Sequence, residues 1–448
     1  MFTKVSLKNF RSLDRFEISF ESKRNWPKKL AIIFGENGVG KSNLTSAFVL
    51  LHELLNTMNV REIYQRILAM EPIYKDENRD EMLRQDWIRN MRDMQAIIND
   101  YRMIDATDNV LAEYEFVIDG HAGKYSVEFG KTEIVHEKLE YLVNQRRGIY
   151  FDCRPEAKQV NNCIVTNKGL LADIKSSTKK YWGKHSMLAI ILNECMDKSE
   201  TYGADSLAEN FGKVLDDFIS LSCCSVSIGS RIWSNIDTDY NVFDVPMKGV
   251  LPIAEEKQLD VAQEVFTAVF KSINSNVSRV YYDRKAAKDG IKYHLFIDKM
   301  ISGQHRSIDI DRESAGTIQI VELLCYLLSA CMERVVVLDE ADSAIHDVLF
   351  QKILQEIEPF INGQLIMTTH NTMLMENAFS QDATYIMSED AEGYKKAVCV
   401  SDNDKRIYQK NSIRNKYLHN EYSGLPKTKE IDFSVLIELI QKMGKNDT

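Results

Sequence analysis

Apolar and polar side chains alternate in FTKVSLKNF and RFEISF, so the N-terminal residues read as two strands with one buried face each. LAIIF at 30–34 is apolar throughout, the pattern of a strand covered on both faces. The next segment, SNLTSAFVLLHELLNTM, sets Leu44, Phe48, Leu51 and Leu55 at helical spacing. Residues 57–105 are rich in charge, with VREIYQRILAM and DEMLRQDWIRNMRDMQAIINDY again at helical spacing, as on a solvated helix face. From 111 the period returns to two in LAEYEFVID, GKYSVEFG and TEIVHEKLEYLV, a meander of antiparallel strands with turn signals at Asp119-Gly120 and Gly130. Helical spacing resumes over 168–275, broken near SCCSVSIGS.

In the second half, ESAGT opens a helical run that is apolar from Ile318 onward. Two short apolar runs follow, Val335 to Leu338 in RVVVLDEADSAIH and Leu365 to Met367 in GQLIMTTHN, each reading as a buried strand. The pattern predicts an α/β chain in six parts: 1–56 and 281–425 as two halves of one head, 57–109 as a charged helical insertion, 110–167 as the strand meander, 168–280 as a helical lobe and 426–448 as a helical tail. Only seven prolines occur in 448 residues, so the middle reads as an insertion rather than a tethered module.

Net charge is −10, from 56 basic and 66 acidic residues, so the overall balance does not announce a nucleic-acid binder, although a local basic groove stays open. The start, MFTKVSLKNFRSLDRF, lacks a secretory apolar region, and no run approaches the about 18 apolar residues of a membrane span. The expectation is a cytoplasmic protein without a membrane partner. Its eight cysteines lack paired C-x-x-C spacing, which argues against a zinc site or a disulfide framework and for reduced thiols.

The candidate chemistry starts at GENGVGKSN, which meets G-x-x-x-x-G-K-[ST] with a strand before it and a helix after it. Gly35, Glu36, Asn37, Gly38, Val39, Gly40, Lys41, Ser42 and Asn43 are the predicted phosphate loop. Its glycines let backbone N–H groups turn inward, and the helix start adds partial positive charge. Lys41 is expected on the β- and γ-phosphates of ATP, and the Ser42 hydroxyl on Mg²⁺. Asp339, at the end of a buried strand, is the second candidate for Mg²⁺, and Glu340 is placed to accept a proton from attacking water. His370, at the end of the next strand, is a candidate γ-phosphate sensor. Ser314 and Gly316 open a second helix suited to an anion. Two such helix starts serve one nucleotide when a second protomer supplies the other.

LKNFRSL, GENGVGKSN, ESAGT, VVVLDEADSAIH and TTHN, in this order, resemble the ABC-type ATPase heads of the SMC, Rad50, RecF and OLD group. The resemblance covers about residues 1–50, 110–150 and 290–425. More narrowly, the motifs are similar to the stand-alone ATPases of bacterial anti-phage and abortive-infection systems, such as the ATPase subunit of the PARIS system. The resemblance implies an ABC-type P-loop head that binds and hydrolyses ATP with Mg²⁺. It further implies Arg11 near the nucleotide, Ser314 and Gly316 as signature residues, Asp342 in the D-loop and His370 as the switch histidine. Ala315 departs from the second glycine of many signatures. As partners it implies a homo-oligomer formed through the heads, a separate effector that is a nuclease, and a phage-derived trigger, with DNA left open as a ligand. The space between the head halves is too short for a long SMC coiled coil, so a compact helical lobe is expected there.

Two other function classes stay open: a RecF- or Rad50-like DNA-repair clamp, and a single-chain ribonuclease toxin. The toxin would use Arg414 and His419, whose spacing in RNKYLH resembles the HEPN motif, while RNKYLHNEYSGLP also resembles the C-terminal turn of OLD-like ATPases.

Overall fold

A computed structural model describes residues 1–58, 93–196, 206–227, 231–238, 240–287, 290–375, 379, 381–403, 413–422, 424–425, 433–434 and 436–437. Its strands, in chain order, are β1 (Phe2–Phe10), β2 (Leu13–Ser19), β3 (Leu30–Phe34), β4 (Val110–Ile118), β5 (His121–Phe129), β6 (Ile134–Val143), β7 (Arg146–Cys153), β8 (Lys158–Val160), β9 (Ser222–Ser227), β10 (Arg231–Asn235), β11 (Lys248–Leu251), β12 (Val277–Ala287), β13 (Gly290–Ile301), β14 (Gln304–Asp309), β15 (Val335–Leu338), β16 (Gln364–Thr368), β17 (Thr384–Glu389) and β18 (Lys395–Cys399).

These form a mixed α/β architecture of three sheets. The alternating N-terminal strands and the meander join in one antiparallel sheet of order β2-β1-β4-β5-β6-β7-β8. The apolar runs form a second sheet, β10-β9-β15-β16-β3-β17-β18, whose inner strands β9, β15, β16, β3 and β17 are parallel. A smaller antiparallel sheet holds β11, β13 and β12, with β14 paired to β13.

The parallel strands are buried on both faces, as their unbroken apolar runs require. Ala31 and Ile33 of β3 and Val335 and Val337 of β15 pack into one core with the helix Lys41–Leu55 and the antiparallel sheet. Leu30, Ile32, Phe34, Val336 and Leu338 face a second core with the helices Lys257–Ile273 and Ala315–Cys331. Phe48, fully buried against Phe2, is part of the first; loss of such a ring costs about 3–5 kcal/mol. Buried Gln364 stitches the sheets together: its Oε1 accepts from Phe2 N at 2.7 Å, and its Nε2 donates to Phe2 O at 2.8 Å and Lys28 O at 2.9 Å.

Residues 168–280 are not a purely helical lobe. Helices Lys168–Tyr181, Met187–Met196 and Glu209–Ile219 are present, but β9 in the same stretch is an inner strand of the parallel sheet, with Cys223 opposite Val337. Its sequence, SCCSVS, carries small polar and thiol side chains that hydropathy reads as a break. Burial of Ser222 and Cys223 and pairing to β15 make it a strand. The charged insertion expected at 57–109 falls largely on residues 59–92, outside the described residues. Its described end is the helix Met94–Tyr101, where Asp93 caps Ala96 N at 2.8 Å. The expected tail at 426–448 lies almost wholly outside them as well. Among the described residues no helix is long and apolar enough to cross a membrane.

Candidate functional site

Parallel register sets the site. Leu338 lies opposite Met367, and Thr368 opposite Ile33, so the C-terminal ends of β15, β16 and β3 stand side by side. The residues just beyond these ends are Asp339 and Glu340, Thr369 and His370, and the loop starting at Gly35. An open parallel sheet gathers its ligand groups at this edge.

The loop turns through left-handed backbone at Gly38 (φ 83°) and Gly40 (φ 104°), conformations that glycine adopts without a Cβ penalty. Lys41 opens the following helix and is only 5% exposed. Its Nζ donates to Gly35 O at 2.8 Å and Glu36 O at 3.0 Å, which folds the ammonium over the loop. Burial pulls this ammonium below its ordinary value, against the opposing pull of Asp339, Glu340 and Glu36. Thr45 Oγ1 bonds Ser225 Oγ at 2.8 Å, tying the same helix to β9.

Asp339 is 7% exposed, and its two oxygens differ. Oδ1 accepts from Thr368 Oγ1 at 2.6 Å, while Oδ2 is buried without a hydrogen-bond partner. A buried carboxylate oxygen without a partner is costly unless a cation or donor is provided for. A carboxylate oxygen and a hydroxyl such as that of Ser42 are the oxygen donors that suit Mg²⁺. Glu340 has φ 48°, strain of about 1–3 kcal/mol for a non-glycine residue, and its backbone N donates to Thr368 Oγ1 at 2.9 Å while its side chain is exposed. His370 keeps much of its surface exposed. What covers it, together with Lys41, pulls its imidazole below the ordinary value, against Glu340, Asp342 and Asp339. The ring is therefore neutral near pH 7. Asp342, raised by burial, hydrogen-bonds Thr369.

The remaining predicted residues lie around this edge in different ways. Arg11 (φ 51°) donates through Nη1 to Ser46 Oγ and lies 4.8 Å from the Tyr101 ring centroid. Ser46 Oγ donates in turn to Ser42 O at 2.6 Å, so Arg11 reaches the loop through the first helical turn. Ser314 caps the helix Ala315–Cys331 by accepting from Thr317 N at 3.2 Å. Gly316 is there for close approach: a Cβ on it would lie 2.7 Å from Ala344 O. The second helix start therefore packs against the turn that follows Glu340. Arg414 Nε donates to Thr372 Oγ1 at 3.2 Å, just past His370, and His419 is exposed.

Three contributors escaped sequence reasoning. Thr368 was legible only as a strand end. Lys299 Nζ pairs with Glu313 at 2.6 Å and anchors the residue before Ser314, a contact made from β13 that no local pattern announces. Lys395 approaches the loop from β18.

Among known proteins, residues 230–376 match the family model described as "AAA domain, putative AbiEii toxin, Type IV TA system", and residues 4–51 match one described as "AAA domain". The second stretch contains the phosphate loop; the first contains Ser314, Asp339, Glu340 and His370. The candidate site residues of the loop and of the β15 and β16 ends thus fall within the two stretches that are similar to AAA domains. No curated protein matches the chain. Among solved structures, the SMC head domain from Thermotoga maritima is 14% identical, covering 89% of this chain and 98% of its own, with a TM-score of 0.37. The Smc head domain of Pyrococcus furiosus, with an extended coiled coil and bound to the C-terminal domain of ScpA, is 14% identical over 94% and 98%, TM-score 0.41. The recombination mediator protein RecF, in a structure titled RecF-ATPrS, is 11% identical over 89% and 98%, TM-score 0.36.

Proposed function

We propose that the chain is an ATPase whose site is the loop Gly35–Asn43 together with Asp339, Glu340 and His370. One observation carries this reading: Asp339 has a buried oxygen without a hydrogen-bond partner, just past the end of β15, the strand next to β16, at the sheet edge that also bears the Lys41 loop. Ser42 and Asp339 would hold Mg²⁺, which when bound offsets phosphate charge. Lys41 binds the β- and γ-phosphates, Glu340 takes the proton of attacking water, and His370 donates a ring N–H to the γ-phosphate. Ser314 and Gly316, on their exposed helix start, complete the site of a second copy of the chain.

The biological setting we infer is an anti-phage, abortive-infection system, in which ATP-dependent association of heads holds or releases a separate effector, a nuclease, in response to a phage-derived trigger. The description of the family matched by residues 230–376, a putative toxin of a type IV system, supports that setting over DNA repair. ATP biases such a protein only through different affinities for its two arrangements. Expressed alone, the chain should hydrolyse ATP without harming its host. With its partner and a trigger, growth should stop, and Lys41→Ala should abolish the arrest. RNA cleavage by the pure chain, lost on changing Arg414 or His419, would replace this reading with that of a toxin.

A further inference from the structure

We propose that Lys395 is a positioning residue of the phosphate loop, a second lysine that holds the loop in its anion-accepting shape from outside. The inference rests on the ATP reading above. Lys395 opens β18, beyond both matched stretches of sequence. Its side chain is only 9% exposed. Nζ donates to Gly38 O at 3.2 Å and to Ser12 Oγ at 2.6 Å. Ser12 Oγ also accepts from Asn43 Nδ2 at 2.6 Å, so one hydroxyl joins the β1–β2 turn, the end of the loop and β18. The lysine stem crosses Gly40, where an added Cβ would lie 3.5 Å from Lys395 Cδ. Lys395 therefore meets the loop at both of its left-handed glycines.

A loop that receives phosphate on its N–H groups must turn carbonyls outward. Gly38 is exposed and adopts left-handed backbone, and the backbone bond on its peptide plane, from Val39 N to Glu36 O, is long at 3.4 Å. An ammonium on Gly38 O fixes the plane, while Lys41 holds Gly35 O and Glu36 O. The closest acid to Lys395, Glu389, lies at 4.0 Å and is 40% exposed, so the lysine charge still adds to the loop's positive potential. Both effects concern the α- and β-phosphates that the loop cradles, and so apply to ADP as to ATP. Neither touches Glu340 or His370.

The test is equilibrium binding of Mg²⁺-ADP and of a non-hydrolysable Mg²⁺-ATP analogue to purified wild type, Lys395→Met, Lys395→Arg and Ser12→Ala, with ATP turnover measured alongside. Lys395→Met should weaken both nucleotides about tenfold. Its kcat at saturating ATP should stay within about twofold of wild type, because only binding common to ground and transition states is lost. Lys395→Arg should recover most of the affinity, and Ser12→Ala should weaken both nucleotides by a smaller factor. Unchanged affinities in Lys395→Met, or an arginine variant as weak as the methionine one, would overturn the proposal. Should Lys395→Met not fold, unchanged affinities in Ser12→Ala overturn it equally. Wild type that binds neither nucleotide removes the ATP reading and this inference with it. Binding that is lost in Lys41→Ala but untouched in Lys395→Met removes this inference alone.

Discussion

Thr368 Oγ1 lies 2.6 Å from Asp339 Oδ1, to which it donates, and accepts from Glu340 N at 2.9 Å. One hydroxyl at the end of β16 thus orients both acids just past the end of β15, while the other Asp339 oxygen, Oδ2, is buried without a hydrogen-bond partner. This second contact is what makes Thr368 more than a packing residue.

Thr368→Val should keep the fold, since the shape is nearly conserved, but leaves a buried carboxylate oxygen and the Glu340 N–H without their partner. A stability loss of about 1–3 kcal/mol is expected by denaturant titration. ATP turnover should fall at least about tenfold through misplaced acids, with Thr368→Ser restoring most of it. Turnover in the valine variant equal to wild type would detach Thr368 from the chemistry.

Gly316→Ala places a methyl 2.7 Å from Ala344 O, a backbone atom, so the helix start or the turn after Glu340 must shift. Overpacking of this kind costs about 1–3 kcal/mol. Thermal unfolding should register that loss, and ATP turnover should drop because the turn follows Glu340 directly. A variant as stable and as active as wild type would show that the two segments do not press on each other.

Glu137 titrates away from the site. It is fully buried and accepts from Tyr125 OH at 2.9 Å, Trp182 Nε1 at 2.9 Å and Met187 N at 2.7 Å. Burial outweighs these bonds and pushes its carboxyl from 4.5 up to about 7. The native state therefore holds this proton more tightly than the unfolded chain. The stabilisation it gives is complete below pH 4.5 and is lost as pH rises to about 7, a change of at most about 3 kcal/mol. His52, pushed down to about 4 by burial, acts in the opposite sense as pH falls from 6.5. The observable is accordingly the difference between wild type and Glu137→Gln, which should gain relative stability between pH 4.5 and 7 in urea titrations. A difference that stays flat across that window would refute the buried titration.

These contacts mark where sequence reading stops. The loop, β3, β15 and β16 were legible because each is a continuous run whose pattern is local: apolar strand, glycine turns, amphipathic helix. β9 was not, because SCCSVS is apolar only in its setting, beside β15. The reach of Thr368 to Asp339 depends on the register of β16 against β15, and Gly316 on the approach of Ala344; both join residues about 30 apart in sequence. Glu313 reads as one more charged residue until Lys299 is seen beside it. Arg11 was legible as a motif residue, but its route through Ser46 was not, since the bond crosses from a turn to a helix face.

The most direct measurement is a pair of numbers from one protein, Glu340→Gln: its affinity for Mg²⁺-ATP and its rate of phosphate release. Loss of the base alone should leave affinity near that of wild type and slow hydrolysis by about 10²–10⁴-fold. Phosphate release at the wild-type rate would contradict the assignment of Glu340 as the base, and a wild-type protein that releases no phosphate from ATP would contradict the account of this site as an ATPase built on the ends of β3, β15 and β16.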